Sequence, residues 1–316
     1  MESSVPCPLF ILAGATATGK TALAVKIAAR IGGEIVGADS VQVYRRADIG
    51  SAKPAAEELC GVPHHLVDVA DLDEAYDAGR YVTDADHAIE AIRARGRIPI
   101  VAGGTGLYLR ALVRGLADGI PSDPTIRARL NAEAARGPAE LASMHRALAE
   151  RDPVYAAKIH PSDPIRIVRA LEVLEVSGEP ISAHHARHAA QPDRYHTLFV
   201  ALEADRTLIR ERIATRTRRM FADGWVDEVR SILADGFAPS LKPLRSVGYA
   251  QVIEHVQRGT PTDEALEAVR SATVAFAKRQ RTWFRGERNV TWVAPEDLLR
   301  DDWLARIQAH MARGPA

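Results

Sequence analysis

Short apolar runs closed by turn residues alternate with stretches of helical spacing over the first third of the chain. This is the pattern of stacked βαβ units around a parallel sheet with helices on both faces. The runs predict strands over Leu9–Ala13, Glu34–Ala38, His65–Val69 and Ile98–Ala102, and the apolar spacing of Ala78–Arg95 predicts a helix between the last two. At Pro121-Ser122-Asp123-Pro124 the texture changes. Up to about Gln191 the chain is rich in Ala and Arg and offers no strand, which reads as an inserted helical lobe. Strand character returns at Thr197–Leu202 and at Asn289–Val293, separated by a long helix over Asp263–Phe284. The expected division is a sheet domain made of residues 1–120 and 192–316, with the lobe over 121–191.

Composition narrows this only a little. The 316 residues are 47% hydrophobic and 26% charged, ordinary for a globular protein with a sizeable core. Lys plus Arg number 41 and Asp plus Glu number 41, so any nucleic-acid binding must come from local clustering of charge. Cys7 and Cys60 stand far apart, which argues against a disulfide framework or a cysteine zinc site and suits a reducing compartment. The apolar run at Leu9–Ala13 lacks a basic flank and leads into a glycine loop, so it reads as a strand and not a signal peptide. No segment is long enough to span a bilayer, and a cytoplasmic monomer is expected.

The chemistry starts at Gly14-Ala15-Thr16-Ala17-Thr18-Gly19-Lys20-Thr21, a P-loop placed directly after a strand and before a helix. Its backbone N–H groups and the helix N-terminus converge on an anion, Lys20 adds positive charge, and Thr21 offers a hydroxyl to Mg²⁺. The fold class is therefore α/β with a P-loop NTPase-like sheet. The loop implies polyphosphate binding without saying whether the ligand is a nucleotide. Asp39 follows the second strand, so it belongs to the sheet edge that binds ligands in open α/β folds, as a general base or as a metal-shell or capping residue. Gln42 carries an amide suited to reading an adenine edge. In Gly103-Gly104-Thr105-Gly106-Leu107-Tyr108, Thr105 is placed to cap a helix or to turn its hydroxyl into the same crevice.

Together these motifs resemble the tRNA dimethylallyltransferases. The likeness rests on the P-loop, Asp39-Ser40-Val41-Gln42-Val43-Tyr44, Asp48-Ile49-Gly50-Ser51-Ala52-Lys53-Pro54 and the Gly103–Tyr108 motif, then His160-Pro161-Ser162-Asp163-Pro164 with Arg166 and Arg169. It continues through Arg245-Ser246-Val247-Gly248-Tyr249 and Lys278-Arg279-Gln280 with Trp283-Phe284, and so covers nearly the whole chain. The resemblance implies transfer of a dimethylallyl group from dimethylallyl diphosphate to N6 of the adenosine 3′ to the anticodon in tRNA. It assigns Asp39 to the N6 proton and Thr16, Gly19, Lys20 and Thr21 to the diphosphate with Mg²⁺. Thr105 and Arg127 fall beside the reacting groups, with Arg212 and Arg216 assisting.

By the same resemblance the lobe clamps the anticodon stem-loop, and the tRNA-binding segments are Asp39 to Gln42, Ile165-Arg166-Ile167-Val168-Arg169, Arg245 to Tyr249 with Ala250, and Lys278-Arg279. Arg281 extends the last basic strip beside Trp283. Two loop positions depart from the family habit: Ala15 stands where Pro is common and Thr18 where Ser is frequent. Nothing after Arg285 offers a cysteine and histidine cluster, so a bacterial-type enzyme without the eukaryotic zinc finger is expected.

Rival readings are a small-molecule kinase, a prenyltransferase acting on free AMP, ADP or ATP, and a non-catalytic RNA-binding protein. The large lobe and the Arg245–Tyr249 segment favour tRNA, since a free nucleotide needs no clamp. His184, His185 and His188 include an i, i+4 pair but lack an acidic partner, and they read as exposed lobe surface.

Overall fold

The computed structural model describes residues 6–116 and 122–313. In chain order its elements begin with β1 (Cys7–Ala13), α1 (Lys20–Ile31), β2 (Gly33–Ala38), β3 (His64–His65), α2 (Ala78–Ala94), β4 (Ile98–Gly103) and α3 (Gly106–Arg114). Five helices follow: α4 (Pro124–Ala134), α5 (Pro138–Arg151), α6 (Pro153–Ala156), α7 (Pro164–Ser177) and α8 (Ile181–Ala189). The chain then forms β5 (Tyr195–Leu202), α9 (Arg206–Ala222), α10 (Trp225–Ala234), α11 (Tyr249–Arg258), α12 (Thr262–Arg285), β6 (Val290–Val293) and α13 (Asp301–Met311). No helix among the described residues is long and apolar enough to cross a membrane.

The strands make one parallel sheet in the order β3-β2-β4-β1-β5-β6. Strand β1 shows why its sequence is apolar without alternation. Leu9, Ile11 and Ala13 enter one apolar cluster and Phe10 and Leu12 the other, so both faces are covered. Ala13 pairs with Gly103 and Gly103 with Ala38, so β1, β4 and β2 end level and their following loops leave from one edge. A Cβ on Gly103 would stand 2.1 Å from the Ala38 carbonyl oxygen. Gly103→Ala is therefore expected to destabilise the fold by about 1–3 kcal/mol or more in urea denaturation, with transfer activity lost as Ala38 is displaced.

One strand departs from expectation. His65–Val69 does not continue as a strand: pairing stops after His65, because Leu66 (φ 63°) and Asp68 (φ 57°) take left-handed backbone that a ladder cannot hold. A lone bridge from Tyr44 to Ala70 is all that follows.

The chain divides into two compact units, Met1–Val113 with Arg194–Ala316, and Arg114–Asp193. The boundary expected at Pro121 lies outside the described residues. In the second unit the described elements are all helical, around Leu130, Met144, Leu148, Ile167 and Val173. Its Asp-Pro pairs are helix starts: Asp123, Asp152 and Asp163 each accept a backbone N–H from the first turn of the helix whose first residue is the following proline. His184 corrects the surface reading, since it is buried within 3.4 Å of the Ser177 hydroxyl. His185 stays exposed, with its ring against Tyr155.

Candidate active site

The P-loop follows β1 and delivers its anion cradle through backbone geometry. Ala17 (φ 64°) and Gly19 (φ 88°) are left-handed, and no side chain caps the start of α1, so donors of its first turn remain for a ligand. The Thr18 hydroxyl, buried, donates to the Ala15 carbonyl at 2.8 Å and braces the loop from within. The Lys20 ammonium donates to the same carbonyl at 2.7 Å. Burial pulls the Lys20 pKa down to about 8, with Asp39 opposing the shift and Arg216 adding to it. Burial likewise lowers Arg216, again against Asp39.

Asp39, at the end of β2, accepts through Oδ1 from the Val41 and Gln42 N–H groups at 2.9 and 3.2 Å. One oxygen is thus a local cap, while the carboxylate also faces the cationic pair. Thr105 closes the third loop. Its hydroxyl oxygen accepts from the Ser40 N–H at 3.0 Å, tying the loop after β4 to the loop after β2.

Two cavities meet here. The larger, about 830 Å³, is lined by Thr16 to Thr21, Asp39, Gln42, Gly104, Arg212 and Arg216 among others. The second, about 360 Å³, is lined by Asp39, Ser40, Val41, Thr105, Arg245, Ser246, Val247, Phe276 and Arg279 among others. Thr16, Asp39, Ser51, Ala52 and Arg216 line both, so the carboxylate stands on a shared wall between an anion cradle and a cationic, partly aromatic mouth. Such a wall suits a reaction between a bound polyphosphate and a second substrate arriving from the other side.

The profile of the IPP transferase family matches residues 42–287. The chain belongs to that family. This IPP transferase is 45% identical to the tRNA dimethylallyltransferase of Syntrophobacter fumaroxidans over 94% of its own length and 86% of that protein's. It is 48% identical to the tRNA dimethylallyltransferase of Myxococcus xanthus, over 91% of this chain and 92% of the other. Among solved structures, the tRNA isopentenylpyrophosphate transferase of Bacillus halodurans superposes with a TM-score of 0.70 at 32% identity, covering 96% of each chain. A eukaryotic dimethylallyltransferase, described as acting on tRNA, gives a TM-score of 0.75 at 25% identity over 96% of this chain and 77% of the other.

The remaining expected site residues of this transferase are distributed unevenly. Arg127 and Arg169 belong to the helical unit, where both pair with Glu172, whose side chain is fully buried. Burial alone would push the Glu172 carboxyl up, but the two guanidinium groups win and hold it below the usual range. On α7, Ile165 and Arg166 are exposed while Ile167 and Val168 are buried in the lobe's own core, so the latter pair shape the helix and cannot touch RNA. Arg245 is exposed, but Tyr249 is fully buried with its hydroxyl donating to Glu228 at 2.6 Å, and Gly248 is pressed against Trp225. Ala250 is half-buried at the start of α11. Lys278 and Arg279 are exposed, whereas Arg281 is paired with Glu203 at 3.0 Å. The Gln42 NH₂ donates to the Ser51 and Ala52 carbonyls at 3.0 and 3.1 Å, which leaves its Oε1 as the group able to meet a ligand.

Gln280 stands in the Lys278-Arg279-Gln280 motif, but its sequence context gives it no role. Its buried amide accepts from the Thr16 N–H at 2.8 Å and donates to the Gly104 carbonyl at 2.8 Å, clamping the P-loop to the loop after β4. Thr16 is held a second time through its hydroxyl, which accepts from Arg216 at 2.6 Å.

Proposed function

We propose that this enzyme transfers the dimethylallyl group of dimethylallyl diphosphate to N6 of the adenosine 3′-adjacent to the anticodon in tRNA, releasing diphosphate. The observation that carries the reading is Asp39 on the wall common to the anion cradle and the Arg245–Arg279 mouth. The diphosphate lies on the P-loop N–H groups, with Lys20 and Arg216 beside its oxygens. The adenosine enters from the second cavity as a base drawn out of its loop. The N6 lone pair forms a bond to the allylic C1 as the C1–O bond breaks, its electrons passing to the diphosphate. Asp39 accepts the N6 proton, and the cations and loop N–H groups meet the charge that grows on the leaving group.

The residues present also fit Mg²⁺. Thr21 lines the diphosphate cleft, and Mg²⁺ is commonly held by one or two protein oxygens together with substrate phosphates, so a dedicated carboxylate cage is not needed. When bound there it neutralises charge on the diphosphate. Thr105 orients the Asp39–Ser40 turn, Arg127 is the candidate to stabilise charge growing on the leaving diphosphate, and Arg166, Arg169, Arg245, Lys278 and Arg279 are the candidates for contacts to tRNA, chiefly its phosphates.

Incubating the enzyme with labelled dimethylallyl diphosphate, Mg²⁺ and either tRNA or AMP tests this. Label is expected on tRNA. Label on AMP alone would replace the acceptor, and label on neither would remove the transferase assignment.

A further inference from the structure

Helix α10 places two side chains, one turn apart, against the segments that wall the second cavity. Glu228 accepts from the backbone N–H groups of Asp48 (3.1 Å), Ile49 (2.6 Å) and Gly50 (3.3 Å), and from the Tyr249 hydroxyl (2.6 Å). Oε2 takes the first two and Oε1 the other two, so the four lone-pair positions of the carboxylate are all used. Trp225 fills the space between two glycines. A Cβ on Gly50 would fall 2.1 Å from its Nε1, and one on Gly248 would fall 2.6 Å from its Cη2.

The segment so held has no regular structure of its own. Between Ala47 and Pro54 the chain forms turns, with Ala52 in left-handed backbone at φ 54°, so its course depends on outside ties. Its next residues, Ser51 and Ala52, line both cavities, and their carbonyls hold the Gln42 amide. The turn on the other side of Trp225 carries Arg245, Ser246 and Val247, which line the second cavity. Glu228 lines neither cavity, yet it joins the two segments between which an acceptor base must pass.

We propose that Glu228 is a positioning residue for the acceptor: acting through the 48–50 backbone and Tyr249, it fixes Ser51, Ala52 and the Gln42 amide in the register that presents the adenine to Asp39. The proposal rests on the transferase reading above. A tie serving stability alone would predict a uniform effect on folding and none on the selective handling of the acceptor.

The discriminating experiment is a double-mutant cycle in steady-state transfer, with tRNA varied at saturating dimethylallyl diphosphate and the donor varied at saturating tRNA. Glu228→Gln keeps the shape but sets an NH₂ against backbone N–H donors. It is expected to lower kcat/KM for tRNA by about 10–100-fold, as loss of registration does, and to leave the KM for the donor unchanged. In a Gln42→Ala background the same substitution should cost much less, because the group through which it acts is already gone. Tyr249→Phe removes a single hydroxyl donor and should give a smaller loss with the same coupling, and it carries the test if Glu228→Gln does not fold. Full additivity with Gln42→Ala, or a folded Glu228→Gln enzyme with unchanged kcat/KM for tRNA, would overturn the proposal. Failure of the unsubstituted enzyme to label tRNA would count instead against the function itself.

Discussion

Asp39→Asn is expected to lower kcat for tRNA prenylation by about 10²–10⁴-fold, the range that a positioned general base supplies, while the Kd for tRNA stays unchanged. Asparagine keeps an oxygen where Oδ1 accepts from the Val41 and Gln42 N–H groups, so the turn after β2 and the shared wall should persist. What it removes is the negative charge and the basic lone pair. The charge opposes the burial-driven fall in the pKa values of Lys20 and Arg216, so the variant should also weaken donor binding modestly. The decisive comparison is single-turnover transfer at saturating donor beside filter binding of tRNA. Retained turnover with lost donor binding would make Asp39 a metal-shell residue and move the N6 proton to another acceptor.

The readable parts of the sequence were those whose physics is local. Strands β1, β2 and β4 announce themselves because both faces are buried and their positions are apolar or small, save Glu34 of β2, which pairs with Arg95 and His65. The P-loop is legible because a strand, a glycine turn and a helix start fall within a dozen or so adjacent residues. β3 was overestimated because its apolar pattern continues where its backbone does not: Leu66 and Asp68 turn left-handed, and nothing in their side chains requires it. In α7 the motif marked a segment and not a face. Ile165 and Arg166 are exposed and Arg169 is half-buried against Glu172, while Ile167, Val168 and Glu172 are buried.

Long-range ties were not legible at all. Gln280 stands 264 residues from Thr16, and Glu228 about 180 from the loop it holds. Each is an ordinary polar residue on a helix until the fold brings a backbone to it. What sets the active site apart from a generic P-loop edge is therefore carried by long-range contacts that a local motif does not show. Gln280 fixes the anion cradle to the β4 loop, and the Glu228 carboxylate is placed to fix the opposite wall.

Lys20→Met is expected to lower kcat by about 10²–10³-fold and to raise the KM for dimethylallyl diphosphate, since it removes a preorganised cation from the oxygens on which charge develops. The wild-type enzyme should carry a pH signature of the same group. Burial holds the free Lys20 at a pKa of about 8, and a bound diphosphate, being anionic, must raise it. Below about pH 8 the ammonium is already formed, and this group adds no slope to donor affinity. Above that value binding has to take up a proton, so the association constant should fall by about tenfold per pH unit until the pKa of the complex is reached. Calorimetry of diphosphate binding in buffers of different ionisation enthalpy reads the proton uptake directly: near zero at pH 7 from this group, approaching one at pH 9. In Lys20→Met that uptake should vanish while the fold, read by circular dichroism, is kept. A variant that still took up the proton would assign the titration to another group in the cleft and leave Lys20 charged throughout.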